Sequence, residues 1–483
     1  MHITSKSFIS SAVAVLAITG VQSSYAELRN ELMEIYETSD IAEVRPLIEA
    51  AKKAGQPEGW YFSGRLAMLD FNFPQAQKDF AEYRRLAKLK KYNNFDYSAN
   101  EALKGVKEGN LQFDRFQDIV VIDAVKVPKK DFFKHLRLPL SAGRIVDISE
   151  IPGDIGEMGQ TGYISEGGDF MMWNQMITEN DSVAPQPTMV EANVLTDGSL
   201  SAPHPIANLG EDADYPFLTA DGTTLYYSAY SDNSVGDRDI FIATRDPQTG
   251  NYRQPVNAGF PFNSSADDYL LAIDEENGVG WWATDRHLLD GEIVLYVFLL
   301  PDGRRNFEGT PAEKRERGKL DNIRVTWTSD PADLSSANDD DEDMDEEDES
   351  GEMVEKTPEQ LALEQAEREK RYEEKAAEIR KIRPGQKPRR HDCRIPVGPG
   401  KYIYSAEDVQ TQRQRQLVGE YIIIEKNYSS LKSNLEATRR KYSKSPTTAL
   451  ESEIQLMEKE EERLRIERLS VLSALYRELG INR

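Results

Sequence analysis

From Glu27 to about Gly109, apolar residues recur every three or four positions with few β-branched runs, a period that predicts helices. Within that stretch the spacing of Trp60, Gly64, Ala67, Ala76 and Phe80 predicts a close-packed helical hairpin. Gly64 and Ala67 on one helix make room for Ala76 and Phe80 on the next. After a strand predicted at Asp118–Ala124, the rhythm shortens to alternating runs split by Gly, Asp and Asn, as strands joined by tight turns require. Residues 215–228 read as a strand, an Asp221-Gly222 turn and a second strand; Asp239–Thr244 is a third, and Gly250–Arg253 opens a fourth. The same order occurs before and after it. Turn glycines fall at Gly168, Gly222 and Gly278, and the following turns at Gly198, Gly250 and Gly303, a spacing of 52 to 56 residues. One such unit cannot bury both of its faces, so repetition must supply the core.

The remaining pattern is helical again. Thr357-Pro358-Glu359-Gln360 supplies an N-cap, a proline at the first helical position and early acids, predicting a charged helix to about Ile382 that Pro384-Gly385 ends. Leu417, Tyr421, Ile424, Tyr428, Leu431, Leu435 and Tyr442 keep a near-heptad rhythm broken at Thr438. A turn at Ser443–Pro446 precedes a second helix ending before Gly480, so a helical hairpin or an oligomerising coiled coil is expected.

Several segments carry a resemblance to known families. The spacing from Trp60 to Phe80 resembles a tetratricopeptide repeat; Ala42 lies one 34-residue period before Ala76, though Pro46 stands where Phe80 does in the better copy. The segments DADYPFLTADGTTLYYSAY and GDRDIFIAT resemble TolB-type β-propeller repeats, which implies blades of four strands with aromatics such as Trp173, Tyr227 and Trp282 beside the turns. The layout is similar to PorE-like envelope proteins of the type IX secretion machinery, but lacks the OmpA-like segment that would imply a grip on peptidoglycan. Three clear units are fewer than a closed propeller needs. Divergent blades are therefore sought at Asp118–Ile151, Asn322–Thr328 and Ile395–Tyr404, the last as a strand returning to close the ring.

The expected fold class is multidomain α+β: a β-propeller-like repeat domain flanked by a tetratricopeptide-like helical region and a C-terminal helical hairpin or coiled coil. Its boundaries are residues 1–26 for a signal peptide, 27–112 for the helical region, and 113–330 for the repeat domain, with clear repeats over 160–310. An acidic linker over 331–356, a charged helix and basic segment over 357–394, the possible closing strand over 395–404 and the hairpin over 405–483 follow.

Composition adds a compartment and removes partners. Lys6, the apolar run Ala12–Ile18 and Ser24-Tyr25-Ala26 have the order of an export signal. The longest uncharged apolar stretch afterwards, Ile293–Leu300, is far short of the roughly 20 residues a spanning helix needs. Net charge is −25, of which twelve acids between Asp339 and Glu355 account for nearly half, and nucleic acid needs the opposite sign. A single cysteine, Cys393, forbids an internal disulfide.

Catalytic chemistry finds little support: His135, His204, His287 and His391 lack metal-pair spacing, and Ser165 lies outside any G-x-S-x-G elbow. No catalytic, metal or cofactor residue is expected. The candidate binding residues are Trp281, Trp282 and Arg286, beside a blade turn, with Asp237 and Arg238; aromatic and arginine side chains dominate interface energies, and the alternative for the tryptophans is core packing. These readings point to a non-catalytic, exported protein-binding or scaffold component of the periplasm, associated with the outer membrane or cell surface. Its partners would be envelope proteins or a glycan. A carbohydrate-active propeller enzyme and an oligomeric structural component are the rival classes. Asp221 and Asp268 would carry the former, and the alternative for such turn carboxylates is acceptance of backbone hydrogen bonds.

Overall fold

The computed structural model describes residues 41–89, 96–152, 159–178, 186–195, 199–246, 251–286, 291–301, 303–328, 358–385, 393, 395–398 and 401–480. The expected export segment and the acidic linker lie outside the described residues.

Four helices open the described chain: α1 (Ile41–Lys53), α2 (Pro57–Leu69), α3 (Phe73–Leu89) and α4 (Asp96–Asp114). The expected small-to-large packing is present, since a Cβ added at Gly64 would stand 2.8 Å from the Phe80 ring. Ala67, Ala76 and Phe80 share a buried cluster with Phe71, Phe73, Val235 and Phe260, so the apolar stripe of these helices is buried partly against the sheets.

The middle of the molecule is three antiparallel sheets. The first orders β2 (Arg144–Asp147), β3 (Thr161–Ile164), β4 (Phe170–Ile177), β5 (Gln186–Asn193) and β6 (His204–Pro205) as a meander. The second does the same with β7 (Glu211–Leu218), β8 (Thr224–Tyr230), β9 (Asp239–Thr244) and β10 (Val256–Asn257). The third runs β11 (Asp268–Asp274), β12 (Val279–Thr284) and β13 (Glu292–Leu299), and then takes as its outer strand β1 (Val121–Pro128). β1 lies antiparallel to β13, Asp123 opposite Val297 and Pro128 opposite Glu292. Gly168, Gly222 and Gly278 turn the chain with φ of 68°, 72° and 66°, the left-handed conformation a side chain disfavours. β7 packs against β3, β4 and β5 on one side and β11 on the other, so the sheets stack in series; no closed ring is present among the described residues. One large core runs through all three.

Two expected strands are corrected. Asn322–Thr328 contains a 3₁₀ turn over Ile323–Thr326, not a strand: Val121 N–H donates to Thr326 Oγ1 (2.9 Å) and Trp327 Nε1 donates to the Val121 carbonyl (2.7 Å), closing the end of β1. Nor does Ile395–Tyr404 return to the sheets. It forms a hairpin of its own, β14 (Ile395–Gly398) with β15 (Lys401–Ile403), because Ile395 and Ile403 bury against Leu417, Val418 and Leu475 of the C-terminal helices.

Helix α5 (Pro311–Lys319) starts on a Thr310–Glu313 capping box. The charged helix is α6 (Pro358–Ile379), and it covers the third sheet: Tyr372, Ala376, Ile379 and Ile382 enter the central core, and Arg380 Nε donates to Asp123 Oδ2 of β1 (2.8 Å). Helices α7 (Gln412–Lys444) and α8 (Thr448–Glu478) form the C-terminal hairpin, joined by an Arg468–Glu425 ion pair of 2.9 Å.

Candidate functional site

Of the five residues singled out in the sequence, three are interior. Trp282 is fully buried between Phe262, Tyr296 and Phe298, with ring centroids 4.7 to 5.5 Å away, and Trp281 is buried in the central core. Arg286, 1% exposed, is wholly occupied: its guanidinium donates to Asp268 Oδ1 (2.9 Å) and to the carbonyls of Phe262 (2.8 Å) and Gly318 (3.0 Å). The expectation that this trio meets a partner is therefore corrected. Every residue of β12 is buried, because other sheets and loops cover both of its faces.

Asp237 and Arg238 are at the surface, on the loop entering β9. Arg238 donates to the Asp212 carbonyl (2.9 Å) and Ser228 Oγ (3.1 Å) and stands 5.7 Å from the Tyr215 ring. The neighbouring loops bring together residues that the sequence reading missed. Tyr269 Oη donates to Asp285 Oδ2 (2.7 Å) and Asp267 Oδ2 (3.2 Å), and Lys129 Nζ lies 3.3 Å from Asp285 and 4.8 Å from the Tyr269 ring centre. Phe132 packs against Tyr215 and Tyr269 at 5.7 and 6.0 Å. Burial first, then the charges of Asp285 and Asp237, hold the Asp267 carboxyl above the usual carboxylate range. The result is a rim of carboxylates and two cations on a base of packed aromatic rings, Tyr215 from β7, Tyr269 from the start of β11 and Phe132 between them. The available signal was an Asp-Tyr dipeptide within a strand, at Asp214-Tyr215 and Asp268-Tyr269; the third copy, Asp96-Tyr97, starts α4.

The carboxylates offered for a glycosidase are engaged in structure. Asp221 Oδ1 accepts from Thr219 Oγ1 (2.6 Å) and Thr223 N–H (3.0 Å) within its turn, and Asp268 accepts from Ser264 N–H (2.6 Å) besides Arg286. Cys393 is buried with its thiol toward the Ile403 carbonyl; His391 and Asp392 lie outside the described residues. Among the described residues no group of three or more His, Cys, Asp or Glu could hold a metal ion, and no helix is long and apolar enough to cross a membrane.

The chain matches no protein-family model, no curated protein and no solved structure.

Proposed function

We propose that the chain is an exported, non-catalytic scaffold of the bacterial envelope, built on a propeller-like stack of three sheets and engaging a protein partner through the charged rim around Asp237 and Lys129. The single observation that carries the reading is the outer strand of the third sheet: β1, which precedes all three stacked sheets in the chain, pairs with β13, the last strand of the three. A propeller-like array uses such a join to hold repeated sheets together while leaving its loops free to vary. The order of Lys6, the apolar run Ala12–Ile18 and Ser24-Tyr25-Ala26 supports export to the periplasm. The rim supports binding of a protein, since its exposed charges stand on buried aromatic rings that fix their position.

The test is affinity capture from envelope fractions by the full chain, by a chain lacking residues 405–483, and by Asp237→Lys. Recovery of one defined protein by the first two and its loss with Asp237→Lys, at unchanged thermal stability, is the expected result. Hydrolysis of a glycan panel that disappears in Asp221→Asn or Asp268→Asn would instead establish the enzyme.

A further inference from the structure

A second site lies between α4 and the edge strand β10, sharing no lining residue with the rim. It is an open cleft of about 740 Å³, within the size range of ligand sites. Leu111, Arg115 and Gln112 of the helix end face Val256, Asn257 and Arg304 across it. Leu111 and Val256 are large apolar residues more than half exposed.

Three features of its lining are unfinished. Arg115 and Arg304 lie within 4 Å of no carboxylate among the described residues. Arg304 is held below its ordinary basicity, first by partial burial and then by the charge of Arg115. Gln112, 8% exposed, spends its Nε2 on Glu108 (3.2 Å) and leaves Oε1 buried without a donor. Two close guanidinium groups call for an anion, and carboxylate is the planar group they fit.

Among the described residues β10 ends its sheet with β9 alone beside it, which leaves its outer backbone edge for another strand. No aromatic ring lines the cleft to stack on the face of a sugar. We propose that this cleft binds an extended, carboxylate-bearing peptide segment of a partner protein, laid along β10 with its acids on Arg115 and Arg304. The apolar side chains of that segment cover Leu111 and Val256. Such strand addition draws affinity from the backbone and specificity from alternate side chains.

The inference names the chemistry of a partner and goes beyond the scaffold reading, which uses another surface. A fluorescein-labelled decapeptide alternating Glu and Thr is titrated by anisotropy against the full chain, with the Gln–Thr decapeptide as control. Binding of the acidic peptide alone is expected, weakened at least tenfold in Arg115→Gln/Arg304→Gln, together with slowed amide exchange at Val256–Gly259. Both arginines lie outside any ion pair among the described residues, so circular dichroism and melting should be unchanged. Equal affinity in the double variant, no binding of the acidic peptide, or binding of an oligogalacturonate in its place would overturn the proposal. Each of these outcomes leaves the Asp237→Lys capture experiment to stand or fall by itself.

Discussion

Asp239 opens β9 with its side chain fully buried, accepting from the N–H groups of Val235 (2.9 Å) and Gly236 (3.0 Å) and from Asn257 Nδ2 (2.7 Å). These donors favour the anion, but burial and the nearby Asp268 outweigh them and push the carboxyl up to about 7. A folded value above the unfolded one, near 3.9, means that folding takes up a proton; the stabilisation is complete below about pH 4 and is lost as pH rises through about 7. Between pH 5 and pH 8 the native chain should therefore lose roughly 2–3 kcal/mol more than Asp239→Asn in urea unfolding. Parallel pH profiles for the two proteins would mean that Asp239 is ionised at both ends of that range. Arg286 makes a related case. Replacing it with Met leaves Asp268 buried without its cation, for an expected loss of about 3–5 kcal/mol, and adding Asp268→Asn should restore part of it. No recovery in the double variant would show that the cost lies in the lost Phe262 and Gly318 contacts. The two tryptophans follow the core-packing alternative rather than the contact reading, and the residue pattern offered no means to decide: in stacked sheets an inner strand has no solvent face, so the alternation that distinguishes inside from outside is missing.

Local signals were enough to find individual elements. The Asp221-Gly222 turn, the strands at Thr224–Tyr230 and Asp239–Thr244 and the Gly64–Phe80 packing all follow from neighbours in sequence. Pairing across the molecule left no such trace. Nothing in Val121–Pro128 names β13 as its partner, and Tyr372, Ala376 and Ile379 are a thin apolar stripe in a helix otherwise crowded with charge. That stripe makes α6 the cover of β1 and the third sheet, where Arg380 meets Asp123. Ile379→Asp places a charge in the core at a fully buried position, and the helix should release. Amide exchange in β1 is expected to accelerate at least tenfold, equal to about 1.4 kcal/mol of lost protection, while β8 and β9 keep their rates. Uniform acceleration over all three sheets would show instead that α6 and the sheets open as one cooperative unit.

At the scale of the whole chain, cores determine how many parts unfold separately. The core beneath α7 and α8 draws on residues between Cys393 and Leu479 alone, whereas the central core joins all three sheets to α6. The C-terminal unit also carries its own boundaries. Thr411 and Gln414 form a capping box, Thr447 caps α8, and Gly480 follows that helix with a φ of 71°. Its heptad rhythm left two arrangements open, pairing within the chain or between chains. In the structure α7 and α8 pack against each other, with Tyr428 donating to Glu461 (3.4 Å) and Arg439 paired with Glu458 (2.7 Å). Two calorimetric transitions are therefore expected. Leu475 is fully buried in the smaller core, and Leu475→Ala should cost about 2–5 kcal/mol, lowering one transition and leaving the other in place. A hairpin that packs on itself melts at the same temperature at any protein concentration, whereas an oligomer melts higher as concentration rises. If tenfold dilution lowers the transition that Leu475→Ala moves, the apolar seam of α7 and α8 is completed by another copy of the chain.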